Sequence, residues 1–329
     1  MRRGGRLLGC RVTISLLEDR ARSILTENTV GDVDYRWTVN PYRGCEHACA
    51  ACYARGSHEY LDLDPGDGFD RQIVVKREAP ALLRAAFDQD SWRGATVTFS
   101  AVTDPYQPVE QALELTRRCL EVCLAYRNPV RVVTKSALAA RDVELFAALA
   151  AEARCAIDVS VTFVDEAMCQ ALEPGAPPPA ERFALIEQLA RAGLSVGVMA
   201  APIISGLNDA QLIPVLERAA AAGATSACWA LLRLPEPTAT VFRDRLHRVL
   251  PRAVDRVFGR AHATRGHDDA FDKPFHTRGA GGGAYVAAIE SMFTTTAARL
   301  GLAARRFEKA PELPTTFRRP PRTTQLALF

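Results

Sequence analysis

The sequence predicts an α/β fold built around a parallel sheet, and two observations lead to this prediction. Short apolar segments typical of buried strands alternate with segments in which apolar residues recur at helical spacing. This alternation repeats from residue 35 to residue 235, the pattern of a parallel sheet with helices packed outside it. With 48% hydrophobic and 24% charged residues, the 329-residue chain has the composition of a soluble globular protein rather than a disordered one.

The predicted elements follow one another in strand–helix order. The six predicted strands cover residues 36–39, 96–101, 130–134, 156–162, 194–201 and 226–232. The five helices predicted among them cover residues 80–89, 113–126, 142–152, 182–192 and 210–222. Polar motifs come directly after the strands. Because the carboxyl ends of parallel strands meet at one edge, where the active sites of α/β barrels lie, we expect these motifs to form one site.

Four segments divide the chain. A Pro-Glu-Pro boundary at 235–237 is followed by helical patterns at 238–258 and 284–300, with a polar, glycine-rich loop between them. From residue 309 the composition becomes rich in proline and arginine. We therefore predict an N-terminal extension (1–34), a core barrel (35–235), a helical C-terminal region (236–308) and an extended, disordered tail (309–329).

The net charge of the chain is small. The 41 Lys and Arg residues against 38 Asp and Glu residues leave +3, too little for bulk electrostatics to be the main attraction for nucleic acid. No apolar run reaches the roughly 18 residues that a membrane helix needs. Charged residues also interrupt the segment after the basic start, so no signal peptide is predicted. We expect a cytoplasmic protein with no membrane partner.

Three of the nine cysteines form a cluster, Cys45, Cys49 and Cys52, with C-x3-C-x2-C spacing. The other six are scattered, and burial in the core is their expected role. Turn-forming residues before Cys45 favour a loop over a helix with three cysteines on one face.

Thiolates that converge from a loop bind metal. Zinc would need a fourth ligand such as His47, whereas an iron–sulfur cluster held by three thiolates would leave one iron open for chemistry. We favour the cluster over zinc, and zinc over core packing.

The motifs around these cysteines resemble the radical S-adenosylmethionine (SAM) superfamily, and within it the subgroup related to spore photoproduct lyase, often described as DNA-repair-photolyase-like. The matching blocks occur in the expected order. They are Asn-Pro-Tyr-Arg-Gly-Cys at 40–45, Tyr-Ala-Arg at 53–55, Thr-Asp-Pro-Tyr-Gln-Pro at 103–108, Val-Thr-Lys-Ser at 133–136, Leu-Glu-Pro at 172–174 with Arg182, Ala-Pro-Ile at 201–203 and Gly-Leu-Asn-Asp at 206–209.

The resemblance implies a partial (β/α)6 TIM-like barrel of the radical SAM type with a helical C-terminal extension. It also implies a [4Fe-4S] cluster held by Cys45, Cys49 and Cys52, with SAM on the open iron. One electron, from a donor such as flavodoxin or ferredoxin, would cleave SAM to a 5′-deoxyadenosyl radical.

Six residues are candidate SAM contacts by the same resemblance. Thr103, Lys135 and Ser160 would contact the amino-acid and ribose parts of SAM, and Ala201 would offer its backbone to the adenine. Asp104 would accept from the SAM amino group or cap the next turn. Arg182 would bind the SAM carboxylate or pair with Glu173.

Two positions depart from the family pattern. Ala51 stands where the family usually has an aromatic residue before the last cysteine, and Tyr53, just after that cysteine, is a candidate replacement. Ala101 stands where spore photoproduct lyase has its hydrogen-donating cysteine. The second departure argues against a spore photoproduct lyase in the strict sense.

The last five residues resemble the bacterial sliding-clamp-binding motif. Gln325 would occupy one subsite of the clamp, while Leu326, Leu328 and Phe329 would supply apolar contacts. The alternative is docking of this apolar tip on the protein's own body.

Three functional hypotheses follow. The first is a radical SAM enzyme acting on DNA or another nucleic acid, in repair or modification. The second is a radical SAM enzyme with a protein or metabolite substrate, and the third is a non-catalytic zinc-binding or clamp-binding module.

Overall fold

The computed structural model describes residues 13–29, 35–265, 283–305 and 314–321. Its strands, in chain order, are β1 (Ser15–Glu18), β2 (Leu25–Glu27), β3 (Trp37–Val39), β4 (Tyr42–Arg43), β5 (Gln72–Val75), β6 (Val97–Phe99), β7 (Val130–Thr134), β8 (Cys155–Ser160), β9 (Val196–Ile203), β10 (Ser226–Leu231) and β11 (Ala303–Ala304). Its α-helices are α1 (Asp67–Arg71), α2 (Ala79–Asp88), α3 (Glu110–Leu113), α4 (Leu115–Ala125), α5 (Val143–Glu152), α6 (Glu166–Leu172), α7 (Pro179–Arg191), α8 (Leu212–Ala221), α9 (Thr238–Val249), α10 (Val254–Arg265) and α11 (Ala284–Arg299).

The central sheet has the strand order β11-β10-β9-β8-β7-β6-β3-β2. The six strands predicted from the sequence, β3 and β6 to β10, lie side by side in chain order, and each is parallel to its neighbours. This confirms the α/β prediction and matches a partial barrel of the radical SAM type. Strand β2 adds an antiparallel edge beside β3, and β11 adds a parallel edge beside β10.

Alternation along the strands separates an apolar face from a polar one. Val130, Val132, Ile157 and Val159 belong to the main hydrophobic core. Side chains of adjacent strand residues point to opposite faces. The intervening Arg131 and Asp158 therefore lie on the other face, where they form a 2.6 Å ion pair. The interior face of this sheet is thus suited to polar groups.

A second sheet of three strands, in the order β1-β5-β4, was not predicted from the sequence. Strand β4 has only two residues and β1 is largely exposed, so neither shows a hydrophobic pattern that identifies a strand. Pairing of β4 with β5 fixes the chain immediately before the cysteine cluster. The predicted helical stretch 238–258 is divided into α9 and α10 near Pro251, because proline cannot continue a helix.

Residues 314–321, which we call the C-terminal strap, pack on α2 and α4. The ring of Phe317 stacks on Tyr126 with centroids 6.1 Å apart and meets Phe87 edge-on at 5.9 Å. Arg319 donates a 3.0 Å hydrogen bond to the carbonyl of Phe87. This differs from the expectation of disorder throughout 309–329, because a single aromatic side chain and one arginine give the strap its own contacts.

No helix in the described ranges is both long and apolar enough to cross a bilayer. The predicted glycine-rich loop at 268–283 is described only at its last residue, and Cys10 and the predicted partner-binding residues Gln325, Leu326, Leu328 and Phe329 lie outside the described residues.

Candidate active site

The cysteine loop begins with a turn that requires glycine. Gly44 has φ +78°, and a Cβ placed on it would come within 2.9 Å of the carbonyl oxygen of Phe69. That same carbonyl accepts a 2.9 Å hydrogen bond from the Cys45 amide. The turn therefore presses the loop against the end of α1 and directs it across the carboxyl edge of the sheet.

The three clustered cysteines lie on successive turns and not on one helix face. The amides of Ala48 and Cys52 donate to the carbonyls of Cys45 and Cys49, at 3.2 Å and 3.3 Å, and no continuous helix spans the loop. Burial raises the pKa of all three thiols, and interactions among the cysteines raise those of Cys45 and Cys49 further. The three thiols are therefore near enough to one another to interact electrostatically. The raised pKa values favour the protonated thiols in the protein alone, and a bound cation would displace these protons.

His47 does not complete a zinc site with these cysteines. Its Nδ1 lies 3.5 Å from a carboxylate oxygen of Asp104, and burial lowers its pKa, so the ring is neutral near pH 7. Within the described ranges, no group of three or more His, Cys, Asp or Glu side chains converges tightly enough to hold one metal ion.

Arg55 holds the loop from inside. It is 1% exposed and donates to the Cys49 carbonyl through Nη2 at 2.9 Å and Nε at 3.3 Å. It also donates to the carbonyls of Gly66 at 2.8 Å and Pro65 at 3.1 Å, and it forms a 2.8 Å ion pair with Asp70. One buried guanidinium thus joins the middle of the cysteine loop to α1 and the turn before it.

Gly175 supports the opposite side of the loop. Its amide donates a 3.0 Å hydrogen bond to the carbonyl of His47, and the Ala50 amide donates to the carbonyl of Leu172 at 2.8 Å. A Cβ at Gly175 would overlap the carbonyl oxygen of Glu46. The turn after α6 therefore packs backbone against backbone on the cysteine loop.

Lys135 projects from the end of β7 beside the cysteines. Its ammonium donates to the hydroxyls of Ser160 at 3.0 Å and Thr162 at 2.9 Å, and to a carboxylate oxygen of Glu173 at 2.8 Å. Lys135 and Glu173 both act electrostatically on the Cys49 thiol, so they lie near it. The Lys135 side chain is only 16% exposed, so it is held within the site and does not extend into solvent.

Glu173 is held as an anion between two cations. Burial alone would raise its pKa, but the charges of Arg182 and Lys135 and their hydrogen bonds bring the pKa well below its ordinary value. Arg182 pairs with Glu173 at 2.6 Å and also donates to the carbonyls of Pro177 and Ser160. The Arg182 side chain is fully buried, so of the two roles considered for it the structure shows pairing with Glu173.

Asp104 also shows the second of its two expected roles. It accepts hydrogen bonds from the amides of Tyr106 and Lys135, at 2.9 Å and 2.7 Å, and from the hydroxyl of Thr134 at 2.6 Å. These bonds cap the turn after β6 and tie it to the end of β7. Asp104 therefore orients the backbone from which Lys135 projects.

Thr103 contacts the start of the cysteine loop. Its hydroxyl donates to the Gly44 carbonyl at 2.6 Å, and the side-chain amide of Gln107 donates to the same carbonyl at 3.0 Å. The Gln107 side-chain oxygen in turn accepts from the Glu46 amide at 3.0 Å. These two side chains hold the backbone just before and just after Cys45.

Ala201 lies near the end of β9, beside the Lys135 group. Its carbonyl accepts from Thr162 at 3.0 Å and from Ser160 at 3.4 Å. The pairing of β9 with β10 shifts register just beyond this point, between Trp229 and Leu231. The structure therefore brings Lys135, Ser160 and Ala201 together at one edge of the sheet.

Several residues that organise the site were not among the sequence candidates. The sequence indicates Glu173 only as a partner for Arg182, and Arg55 only as part of a motif. Gly175 has no sequence signal beyond being a glycine after a Glu-Pro pair. Four of the six scattered cysteines, Cys119, Cys123, Cys155 and Cys228, are buried as expected, whereas the buried Cys169 also accepts a 3.2 Å contact from Arg182.

Ala51, which departs from the family pattern, and Tyr53, its candidate replacement, lie in different surroundings. Ala51 packs on the apolar cluster that includes α9 and α10, whereas Tyr53 is 50% exposed at the start of a 3-10 helix. About half of Tyr53 is therefore accessible to solvent beside Cys52.

Comparison with protein families and with curated proteins gives two related results. The family model described as the Radical SAM superfamily matches residues 39–219. The uncharacterized protein Rv2578c of Mycobacterium tuberculosis is 40% identical over 224 residues, which are 68% of this chain and 66% of that protein. The match thus spans slightly less than two thirds of the relative's length.

Comparison with solved structures gives the same fold. Spore photoproduct lyase complexed with dinucleoside spore photoproduct is similar with a TM-score of 0.61 and 13% identity, over 88% of this chain and 81% of that one. A mutant of the same enzyme with bound AdoMet and the dinucleoside gives a TM-score of 0.62 at 14% identity, over 90% and 82% of the two chains. At such identities the likeness concerns the fold.

Proposed function

Because this chain belongs to the radical SAM superfamily, a superfamily of enzymes, we propose that Cys45, Cys49 and Cys52 hold its [4Fe-4S] cluster and that SAM binds beside them. The observation that carries the proposal is a single loop that bears all three cysteines, Cys45 buried and the other two partly exposed, and that is braced by Arg55, Thr103 and the turn at Gly175. Three thiolates leave one iron of such a cluster without a protein ligand.

The bound cluster would supply one electron that cleaves SAM to methionine and a 5′-deoxyadenosyl radical, which abstracts hydrogen from a substrate. The protein's own contribution is to position the groups. Lys135, held by Glu173, carries a positive charge next to Cys49, where it suits the SAM carboxylate. Ser160 and the backbone of Ala201 border the same place and are proposed contacts for the remainder of SAM.

We assign the other three candidates to positioning. Thr103 and Asp104 have their oxygens engaged with the backbone of the cysteine loop and of Lys135, and Arg182 lies behind Glu173. A positioning residue of this kind sets the geometry of its neighbour and need not touch SAM itself.

For the substrate we propose a nucleic acid. The fold likeness to spore photoproduct lyase, one structure of which contains a dinucleoside spore photoproduct, supports this class. Ala101 at the position of the hydrogen-donating cysteine favours a reaction different from that of the lyase. A protein or metabolite substrate is the competing proposal.

Anaerobic reconstitution with iron and sulfide tests the chemistry. We expect the full chain to bind iron and sulfide and to release 5′-deoxyadenosine from SAM with dithionite, or with flavodoxin or ferredoxin as electron donor. Cys45→Ala, Cys49→Ala and Cys52→Ala should each abolish this, whereas the buried Cys155→Ala should not. Zinc in place of iron, or cleavage unaffected by loss of the loop cysteines, would refute the proposal.

Substrate class is tested by incubating the enzyme and SAM with candidate substrates that carry deuterium, among them damaged oligonucleotides. We expect deuterium to appear in 5′-deoxyadenosine only when a nucleic acid is present. Transfer from a protein or small metabolite, with none from nucleic acid, would support the competing proposal instead.

A separate proposal concerns delivery. We propose that Gln325, Leu326, Leu328 and Phe329 bind a DNA polymerase sliding clamp, which would raise the effective concentration of the enzyme at DNA. The strap at 314–321 supports this, because it anchors the chain on the body only a few residues before the motif. Deleting residues 325–329 should abolish clamp binding, and unchanged binding would reject the motif.

A further inference from the structure

The positive charge of this chain is concentrated in α9, α10 and the turn between them. Residues 243–260 contain six arginines and two aspartates, an excess of four positive charges, whereas the whole chain carries only +3. The remainder of the chain is therefore close to neutral. A local surface, and not the net charge, decides whether a polyanion binds.

Four of these arginines, Arg248, Arg252, Arg256 and Arg260, recur every fourth residue and are all exposed, and we call them the basic stripe. Arg252, Arg256 and Arg260 share one side of α10 and the turn before it, since residues four apart lie on the same helix face. The opposite side of α10 is buried in the protein through Val254, Val257 and Phe258.

Both ends of the basic stripe meet the edge of the sheet that carries the candidate active site. Arg248 lines a small cavity together with Ala50 and Arg55 of the cysteine loop. At the other end, a Cβ on Gly206 would come within 3.2 Å of Arg256 Cγ and 2.9 Å of Arg260 Cδ, so both stems pack over the loop after β9.

The stripe is largely free of internal ion pairs. Arg252 and Arg256 form none with residues in the described part of the chain. Arg260 lies 3.5 Å from Asp209, but that carboxylate already accepts from Tyr285 and from a backbone amide. A half-exposed pair of this kind contributes little, so Arg260 can exchange its partner for a phosphate.

We propose that the basic stripe binds the phosphate backbone of a nucleic acid beside the site where the substrate reacts. This proposal rests on the nucleic-acid substrate proposed above and deepens it by naming the surface that holds the strand. Evenly spaced guanidinium groups suit a chain of phosphates. A bilayer is disfavoured, because a membrane-surface helix needs an exposed apolar face and that of α10 is buried in the protein.

The test measures binding of the reconstituted full chain to a fluorescent, undamaged DNA duplex by anisotropy at several salt concentrations. The variant Arg252→Gln/Arg256→Gln should weaken binding roughly tenfold. The negative slope of log K against log salt should become less steep by about 2, one unit for each lost phosphate contact. A melting temperature equal to that of the wild type would show that the variant is folded.

The matched control is Arg191→Gln/Arg299→Gln, which removes the same charge at the opposite edge of the sheet, where α7 and α11 end. We expect it to bind DNA as the wild type does. The proposal is wrong if the stripe variant binds normally, if both variants weaken equally, or if the wild type binds phosphatidylserine vesicles or an acidic protein but no DNA. Release of 5′-deoxyadenosine is measured separately, so a stripe variant that binds DNA normally, or a wild type that cleaves SAM but binds no DNA, would overturn this inference and leave the radical SAM proposal intact.

Discussion

The ammonium of Lys135 and the carboxylate of Glu173 form a 2.8 Å ion pair between the end of β7 and the turn after α6. Lys135 follows a strand and Glu173 follows a helix, so no backbone hydrogen bonds of a sheet join the two segments. Their side chains make this tertiary contact. Arg182 closes the group on the far side of Glu173 at 2.6 Å. Lys135 therefore lies on the side of Glu173 near the cysteine loop, and Arg182 is buried on the other side.

The first prediction concerns this pair. Glu173→Gln leaves Arg182 and Lys135 without a counter-ion in a buried site, so we expect the free energy of unfolding at pH 7 to fall by about 3–5 kcal/mol. The exposed Glu187→Gln, which removes a partner of Arg191 on the surface of α7, should change it by less than about 1 kcal/mol. Urea unfolding followed by circular dichroism measures both, and equal effects would contradict the prediction.

The same pair gives a pH dependence. The pKa of Glu173 is below its ordinary value of 4.5 in the folded state, so its ionised form stabilises the fold. That contribution is complete above the ordinary pKa and is lost as pH falls from there toward the folded-state pKa. The stability difference between wild type and Glu173→Gln should therefore shrink between about pH 5 and pH 2. A difference that stays constant over this range would show that Glu173 is not ionised in the fold.

The second prediction concerns Arg55. Lysine keeps the charge but cannot reach the carbonyls of Cys49 and Gly66 and the carboxylate of Asp70 together, since it lacks the planar fork of arginine. Arg55→Lys should therefore lower stability by about 1–3 kcal/mol and lower the iron retained per chain after reconstitution and desalting. Arg71→Lys, in α1 next to Asp70 but half exposed, is the control and should retain iron fully.

The third prediction concerns Gly175. Adding a methyl group forces the turn after α6 away from the carbonyl of Glu46, so Gly175→Ala should cost about 1–3 kcal/mol and reduce iron retention. Gly259→Ala is the matched control, because a Cβ there meets no atom of the described structure within 4 Å. It lies inside α10, where alanine should stabilise by about 0.5–1 kcal/mol. Normal iron content in Gly175→Ala would mean that the loop adapts without this contact.

The fourth prediction separates the C-terminal strap from the residues after it. Deleting residues 314–329 removes the Phe317 packing and the Arg319 hydrogen bonds, and should lower stability by about 2 kcal/mol. Deleting only residues 322–329 should leave the melting temperature unchanged. Equal melting temperatures for the two truncated chains would show that the strap does not contribute to the fold.

The strands and the cysteine loop were predictable for a clear physical reason. Buried parallel strands are continuous apolar runs in the sequence. Polar residues directly after such runs, such as Asp104 and Lys135, indicate a site at the carboxyl edge of the sheet. Both signals are local in the sequence. The family resemblance of these motifs and the family match over 39–219 agree on the fold.

The remaining features depend on contacts between distant segments, which no local pattern reports. Arg55 and Gly175 contact the backbone of the cysteine loop. Almost any side chain is compatible with a contact made by the backbone, so the loop sequence does not indicate these contacts. The sequence allows two roles each for Asp104 and Arg182, since it does not give the position of Glu173 or of the amides that Asp104 caps. The basic stripe was hidden in a net charge of +3, because opposite charges elsewhere cancel it.

The C-terminal strap also affects how the chain is made. Thr316 bonds to the carbonyl of Arg127, 189 residues earlier, and its neighbour Phe317 covers Phe87 and Tyr126. At roughly 5–20 residues per second of synthesis, these two rings leave the ribosome about 10–40 seconds before their cover does. During that interval the nascent chain exposes an aromatic surface of the kind that chaperones bind, and α2 and α4 complete their packing only after the strap has been synthesised.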